Sequence, residues 1–567
     1  MEMKNIKILI SLLIATVITG CAELDLNPLS EGSSKTWYSN EKEIQLALND
    51  LYRTYLWDLE INYGTERWTD NWTQRQSITE YPAGIITSEW STVVDTWANT
   101  YKGIVRANNI LNGIEHAAGN VSEDMMNQFR GEASFFRAAL YSRLIFLWGD
   151  VPFYTTELNI DEAFQMKRTS KELILQSIYA DYDVAINYLP VAYGKTNKQR
   201  ITKGAAMALK ARTALWMSDW ETVRDAAKAC MDLKVYSLYP NFSEYFLSST
   251  KDAAETIFAL PRSFELGESW YTKNFIPRTA GGSSVASPSW ELFCSFPCKD
   301  GLPIDESPLY NPRKPFENRD PRCSATITEF GTTFLGYVYD PNPYTTTVLN
   351  INTGTNVKNK DTRSVDTYAS YNGLVLKKGV DQDWADDLYM DADIIIMRYA
   401  DVLLMYAEAK IELNDIDAST LDAINQVRAR AYGVAVTATD KYPAVTTTDQ
   451  SQLRKILRME RRVEFAWENR RFYDLVRWRI AEKALTKPIY GMLDVAALKS
   501  KVINANLWFF PGTPEIDDDG IPDFTAMYEA GLIKLLVQRN FNSRQYLWPI
   551  PSKEIKINPN LTQNPDY

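Results

Sequence analysis

A chain of 567 residues with 61 Lys and Arg against 72 Asp and Glu carries a formal charge of −11 at pH 7. That balance excludes the cationic footprint by which proteins hold nucleic acid, so no nucleic-acid partner is expected. Sixteen Trp and 32 Tyr supply more apolar faces with polar edges than packing alone requires. One histidine and five cysteines leave no disulfide framework and no Cys/His grouping for zinc, and neither a metal nor another cofactor is expected.

In chain order, Lys4 and Lys7 precede an apolar run from Ile8 to Ile18. The run is shorter than the ~20 residues that cross a bilayer, so residues 1–20 read as a cleavable signal peptide. Thr19-Gly20-Cys21 resembles the lipobox of bacterial lipoproteins, in which the cysteine is acylated and becomes the mature N-terminus. The alternative is an ordinary secretory signal with an incidental cysteine. Two or three lipid chains on Cys21 would anchor the protein firmly, whereas one gives only marginal binding. No later apolar run approaches membrane length, so the rest is expected to be soluble and tethered.

Apolar periodicity predicts helices over Glu43–Trp57, Thr96–His116 and Glu123–Trp148. The third carries Met126, Phe129, Ala133, Phe136, Leu140, Leu144 and Leu147 on one face, with Ser122 as cap and Gly149 and Pro152 at its end. Further helices are predicted over Lys171–Leu189, Gly204–Trp216, Trp220–Leu233, Ile396–Leu413 and Ser419–Tyr432, the last opened by Ser419 and Asp422 in a capping box. An Ala-rich helix, a short turn and a second helix occur twice, as in tetratricopeptide-like arrays. Residues 240–392 and 485–567 have the texture of loops, apart from a predicted helix over Ala526–Val537. The expected fold is mainly α: tetratricopeptide-like helix pairs in one domain, residues 21–567, carrying large irregular insertions.

Five segments stand in a telling order: Gly131–Ala138 with Gly149–Pro152; Asn318–Arg322; Arg398–Leu404 with Ala407–Ala409; Glu460–Phe465 with Arg471–Trp478; and Leu547–Pro551 with Gln563–Tyr567. Together with Cys21 they resemble the SusD/RagB family of outer-membrane nutrient-binding lipoproteins. Asp566 departs from the pattern, standing where the family commonly has glycine. The resemblance implies an α-helical fold and an outer-membrane location facing the exterior. It also implies a SusC-like TonB-dependent transporter as partner, to which oligosaccharide is delivered without being transformed.

The chemistry is weighed residue by residue. Eight arginines lie within residues 454–479, but Glu460, Glu464 and Glu468 recur at i, i+4 and i+8, and Asp474 follows, so an ion-paired helix face is expected rather than a polyanion site. Asp401 and Arg398, in a very apolar stretch, read as partners of other buried charges. His116 reads as a helix-end cation rather than a catalytic base, and neither a GxSxG motif nor a P-loop occurs. Asp517, Asp519, Gly520 and Asp523 resemble a calcium loop in spacing, but Ala526 stands where a bidentate glutamate belongs, so a tight acidic turn is expected. Cys294 and Cys298 are close enough to pair, with free thiols as the equal alternative.

Sugar recognition needs an aromatic face and hydrogen-bonding side chains. Residues 66–75 supply both, and Trp68, Asp70, Asn71, Trp72 and Arg75 are expected to bind ligand, packing beneath the loop being the alternative for each Trp. Trp270 and Tyr271, in the run Arg262–Arg278, form a second candidate loop, with Tyr368, Tyr371, Trp384 and Tyr389 as further candidates. The competing functional reading is a helical-repeat adaptor or transporter lid with no small ligand of its own. If Cys21 is the anchor, Cys21→Ser moves the protein from the membrane to the soluble fraction of fractionated cells; retention in the membrane would overturn it.

Overall fold

The computed structural model describes residues 37–194, 197, 199–382 and 387–567, so Cys21 and Trp384 lie outside the described residues. The principal helices are α1 (Glu41–Asn49), α2 (Ser91–Gly113), α3 (Glu123–Trp148), α4 (Lys171–Tyr188), α5 (Lys203–Trp216), α6 (Trp220–Asp232), α7 (Tyr399–Glu412), α8 (Ala418–Ala431), α9 (Gln450–Glu464) and α10 (Arg471–Arg477). Each of α2 to α6 packs on the next, then α6 on α7, and α7 on α8 and α9, which builds the tetratricopeptide-like scaffold of a mainly α protein.

Local chemistry accounts for most boundaries. Ser122 Oγ accepts from Met125 N at the start of α3, and Gly149 ends it in a left-handed conformation, φ 70°. The predicted apolar face is buried throughout, but so are Glu132, Ser134, Ser142 and Arg143, because α3 is enclosed on nearly every side. The crossing of α2 and α3 is close at Gly103, where a Cβ would stand 2.6 Å from Leu140 Cδ1.

Four expectations are corrected. The helix predicted over Ile396–Leu413 begins only at Tyr399; Ile394–Arg398 is a strand, whose β-branched isoleucines pair antiparallel with Thr256–Leu260. Asp417, not Ser419, caps α8, accepting from the backbone N–H groups of Ser419 and Thr420. The stretch Ala526–Val537 divides into a short helix, Thr525–Glu529, and a strand, Lys534–Val537, paired with Ile489–Gly491. Helix α1 stops at Asn49, and 3₁₀ turns continue to Trp57. The insertion at 240–392 contains a four-stranded antiparallel meander over Thr333–Phe334, Tyr337–Val338, Thr347–Asn350 and Thr355–Lys358.

Most arginines and glutamates of residues 454–479 point inward and are paired; Arg454 and Arg458 pair with Glu412 and Asp519 nearer the surface, and Arg479 is exposed. Glu464, fully buried, meets Arg322 at 2.9 Å, Arg398 at 2.7 Å and also Arg430. Glu460 holds Arg322 and Arg428, each at 2.6 Å. One turn around the helix, Arg461 reaches Asp401 and Asp474, and Asp401 also meets Arg212 at 2.9 Å. Glu468, beyond the end of α9, still pairs with Arg398 and Lys378, because the chain continues against the same cluster. At the surface, Asp517 and Asp519 pair with Lys483, Asp518 with Lys455 and Asp523 with Lys487, so this stretch is an ion-paired acidic turn. Cys230, Cys294, Cys298 and Cys323 are buried free thiols.

Burial alone would raise the Glu464 carboxyl, but Arg430, Arg398 and Arg322 outweigh it and hold the group well below the usual carboxylate range; the same balance applies to Asp401 with Arg212, Arg461 and Arg470. A depressed carboxyl contributes stability above its unfolded value and loses it as pH falls through the folded one. Glu464→Ala and Asp401→Ala should each lower unfolding stability by about 3–5 kcal/mol in urea titrations, because each strands buried arginines. Wild-type stability should fall as the medium is acidified below the ordinary glutamate value of 4.5, and a flat acid limb would contradict the ledger of charges.

Candidate functional site

The segment Glu66–Arg75 runs from the core to the surface. Its first part is packed inside. Trp68 is fully buried, its ring centroid within 5.2–5.7 Å of those of Tyr81, Trp90, Phe472 and Trp548. Asp70 is buried and held at 2.8 Å by both Nε and Nη2 of Arg471, with Arg462 at 2.9 Å. Burial alone would raise its carboxyl, but the two arginines win and keep it ionised well below the usual range. Asn71 donates to Glu66 Oε1 at 2.9 Å and accepts from Arg462 Nε at 3.1 Å. Trp72 stacks on Trp467 at 4.9 Å and 23°, in a two-residue strand, β1 (Trp72–Thr73). The expectation that Trp68, Asp70, Asn71 and Trp72 face a ligand is therefore corrected. Aromatic and charged partners from distant parts of the chain, absent from any local window, enclose these side chains.

Glu66, which sequence reasoning passed over, anchors the same segment. It is fully buried and accepts from Asn71, Trp467 N and Asn469 N at 2.9–3.2 Å. Burial pushes its carboxyl up to about 7 although these donors favour the ionised form.

Arg75, by contrast, reaches the surface. Its backbone is left-handed, φ 50°, and its Nη2 donates to Ser283 O at 2.6 Å and Tyr368 O at 3.0 Å. The guanidinium lies 5.1 Å from the Tyr368 ring centroid, and that of Arg278 lies 5.8 Å from the same ring. Arg278 Nη1 donates to Ser283 O as well, while its Nε holds Asp366 at 2.6 Å. Tyr368 is 58 % exposed.

Ser283 N donates to Lys273 O, which ties this cluster to a second strand, β2 (Trp270–Tyr271), paired with β3 (Tyr389–Met390). Alternation along β2 divides its two aromatics. Trp270 turns inward, its ring near Tyr63, Phe275 and Arg262, and walls a small 110 Å³ cleft that Lys378 and Glu468 also line. Burial lowers the Lys378 amine to about 8 even beside Glu468. Tyr271 turns outward, 45 % exposed, against Tyr389, 42 % exposed, with ring centroids 4.9 Å apart at 40°.

Thus the structure brings Arg75, Trp270 and Tyr271 to one loop-built surface with Tyr368 and Tyr389, and leaves Trp68, Asp70 and Asn71 in the interior; buried Trp72 packs on Phe275, which Trp270 also touches. Tyr371 lies 4.3 Å beneath the Arg363 guanidinium on the same loop as Tyr368. Sequence reasoning missed Arg278, Ser283 and Asp366; the only signal was that Arg278 closes an aromatic-polar run. A larger groove, 530 Å³, lies between α2 and the C-terminal segment and is lined by Tyr101, Tyr154 and Phe164. Two of its amides, Asn108 and Asn558, are committed to the carbonyls of Tyr154 and Met166, while Asn109, Glu157 and Glu554 also line it. Trp68→Ala and Asp70→Ala should lower the melting temperature by several degrees or prevent folding, with ligand affinity of the folded fraction unchanged. A specific loss of affinity at wild-type stability would reverse this assignment.

The SusD family matches residues 254–567, and a second family description, "starch-binding associating with outer membrane", matches residues 30–215. SusD-like protein P25 of Formosa agariphila is 26 % identical over 520 residues, 85 % of this chain and 90 % of its own length. A SusD-like protein of Bacteroides ovatus is 24 % identical over 504 residues, 83 % of this chain and 82 % of its own length. The crystal structure of a SusD-like carbohydrate-binding protein from Bacteroides fragilis NCTC 9343 is similar, with a TM-score of 0.75 and 28 % identity, covering 93 % of this chain and all of the other. A laminarin-binding SusD-like protein shares the fold, with a TM-score of 0.62 at 20 % identity over 94 % of this chain and all of the other. With the scaffold, the ordered motifs and a family match over more than half its length, this chain belongs to the SusD family.

Proposed function

We propose that the protein is a surface glycan-binding lipoprotein of the outer membrane, anchored through Cys21, which passes oligosaccharide to a SusC-like TonB-dependent transporter without transforming it. Family membership supports the location and the partner, and similarity to a carbohydrate-binding and a laminarin-binding relative supports the ligand class. The observation that carries the ligand reading is the partition of aromatics. Tyr271, Tyr368 and Tyr389 leave much of their ring surface in water on adjoining loops, while Trp68, Trp148, Trp290 and Trp548 are enclosed in the core.

An exposed tyrosine face suits the apolar face of a pyranose ring, and the phenol edge serves its hydroxyls. Guanidinium groups and backbone carbonyls around Tyr368 supply further partners of both polarities. Such a surface holds several successive sugar units by modest contacts, which suits a protein that must release its cargo to a transporter.

Calorimetric titration with an oligosaccharide panel tests this. Tyr368→Ala should weaken binding about tenfold, and Tyr271→Ala combined with Tyr389→Ala further, with melting temperatures close to wild type. Binding unaffected by all three changes would remove the assigned surface, and shortened products after incubation would refute the non-catalytic reading.

A further inference from the structure

We propose that the glycan taken by this surface is acidic, and that Arg75 and Arg278 read a carboxylate or sulfate group on the sugar next to the ring stacked on Tyr368. The inference rests on the glycan-binding reading above and specifies the ligand class of that same surface.

The chain as a whole is acidic, −11, and most of its buried guanidinium groups face carboxylates. Arg75 does not. Among the described residues its hydrogen bonds go to two carbonyl oxygens, Ser283 O and Tyr368 O, and no carboxylate lies within ion-pair distance. Another cation adjoins it: Arg278 stands over the same ring and donates to the same Ser283 oxygen. Two carboxylates stand by the pair and both are engaged by Arg278: Asp366 accepts from its Nε at 2.6 Å and Asp361 from its backbone N–H at 2.7 Å. Neither carboxylate pairs with Arg75, whose guanidinium has no ion-pair partner of its own among the described residues, and exposed Lys273, whose carbonyl accepts from Ser283 N, adds a further cation on the adjoining turn.

Holding two cations side by side over one ring costs repulsion that a neutral ligand does nothing to relieve. An anion does relieve it, and two oxygens of a carboxylate or sulfate can each take one of the guanidinium nitrogens left without a partner among the described residues, Nη1 of Arg75 and Nη2 of Arg278. The geometry also sets the order of contacts. Nη2 of Arg75 is committed to carbonyls on the inner side, which fixes the guanidinium as a preformed arm beside Tyr368 instead of a mobile surface side chain. Partial burial and the neighbouring Arg278 both lower the Arg75 pKa, as expected of a cation that lacks an anionic partner.

The test uses matched ligands on the folded, full-length mature protein. Oligogalacturonate is compared with the same oligosaccharide after carboxyl reduction, and a sulfated galactan oligosaccharide with its desulfated form, in low and high salt. The expected result is at least tenfold tighter binding of one acidic member than of its neutral counterpart, with affinity falling as salt rises. The pair that shows the preference identifies carboxylate or sulfate. Arg75→Gln and Arg278→Gln should each bring the affinities of the acidic and neutral members of the pair together, and Arg75→Lys should restore only part of the difference.

Equal affinity within both pairs, with Tyr368→Ala still weakening binding, would overturn the acidic-ligand inference and leave the glycan site standing. A preference that survives Arg75→Gln and Arg278→Gln would overturn the residue assignment. No binding by any glycan, charged or neutral, would remove the glycan-binding reading itself, and this inference with it.

Discussion

One interaction organises the molecule: the burial of a charged strip, Glu460 to Asp474, in the middle of a helical scaffold. Its glutamates reach Arg322, Arg398, Arg428 and Arg430, and its arginines reach Asp70, Asp401 and Asp474, so it touches partners nearly 400 residues away in sequence. Charges in a low-dielectric interior are tolerable only when every one is matched, and each match therefore fixes a segment in place. That requirement joins the N-terminal helices, the insertion at 240–392 and the C-terminal loops into a single arrangement.

The ligand surface inherits its geometry from this interior. Asp70 is clamped by Arg462 and Arg471, and five residues later the chain emerges at Arg75. Strand β1 pairs with Ser287–Pro288, which draws the loop carrying Arg278 and Ser283 against Arg75. Lys378 and Arg398 share Glu468, and between them β3 pairs with β2, Tyr389 opposite Tyr271 and Met390 opposite Trp270. Loops that would be mobile alone thus carry their tyrosines and arginines at set positions, and binding need not order them.

The role of aromatic residues shows how composition and position part company. A high Tyr and Trp content indicated surplus aromatic surface, and a surplus exists. However, the Trp residues mostly build the interior, where a large ring fills space between crossing helices, and the exposed faces are tyrosines, whose hydroxyl group lowers the cost of remaining in water. Within residues 66–75 the two Trp, the Asp and the Asn serve the fold, and of the five expected ligand-binding residues only Arg75 reaches the surface.

Local sequence determined the helices whose caps and periodicity lie within a few residues, such as Glu123–Trp148 between Ser122 and Gly149, because those forces act over one or two turns. It also determined the acidic stripe of Glu460, Glu464 and Glu468, which the spacing marks as partners for arginine, and the ordered motifs that carry the family resemblance. Tertiary structure alone decided that Ile394–Arg398 is a strand, since its partner lies at Thr256–Leu260. It alone decided which of the candidate aromatics face water, because the neighbours that enclose Trp68 come from Tyr81, Phe472 and Trp548. The convergence of Arg75, Arg278 and Tyr368 is of the same kind: Arg75 and Tyr368 are separate candidates in the sequence, and only pairing and charge matching across the whole chain bring them together with Arg278.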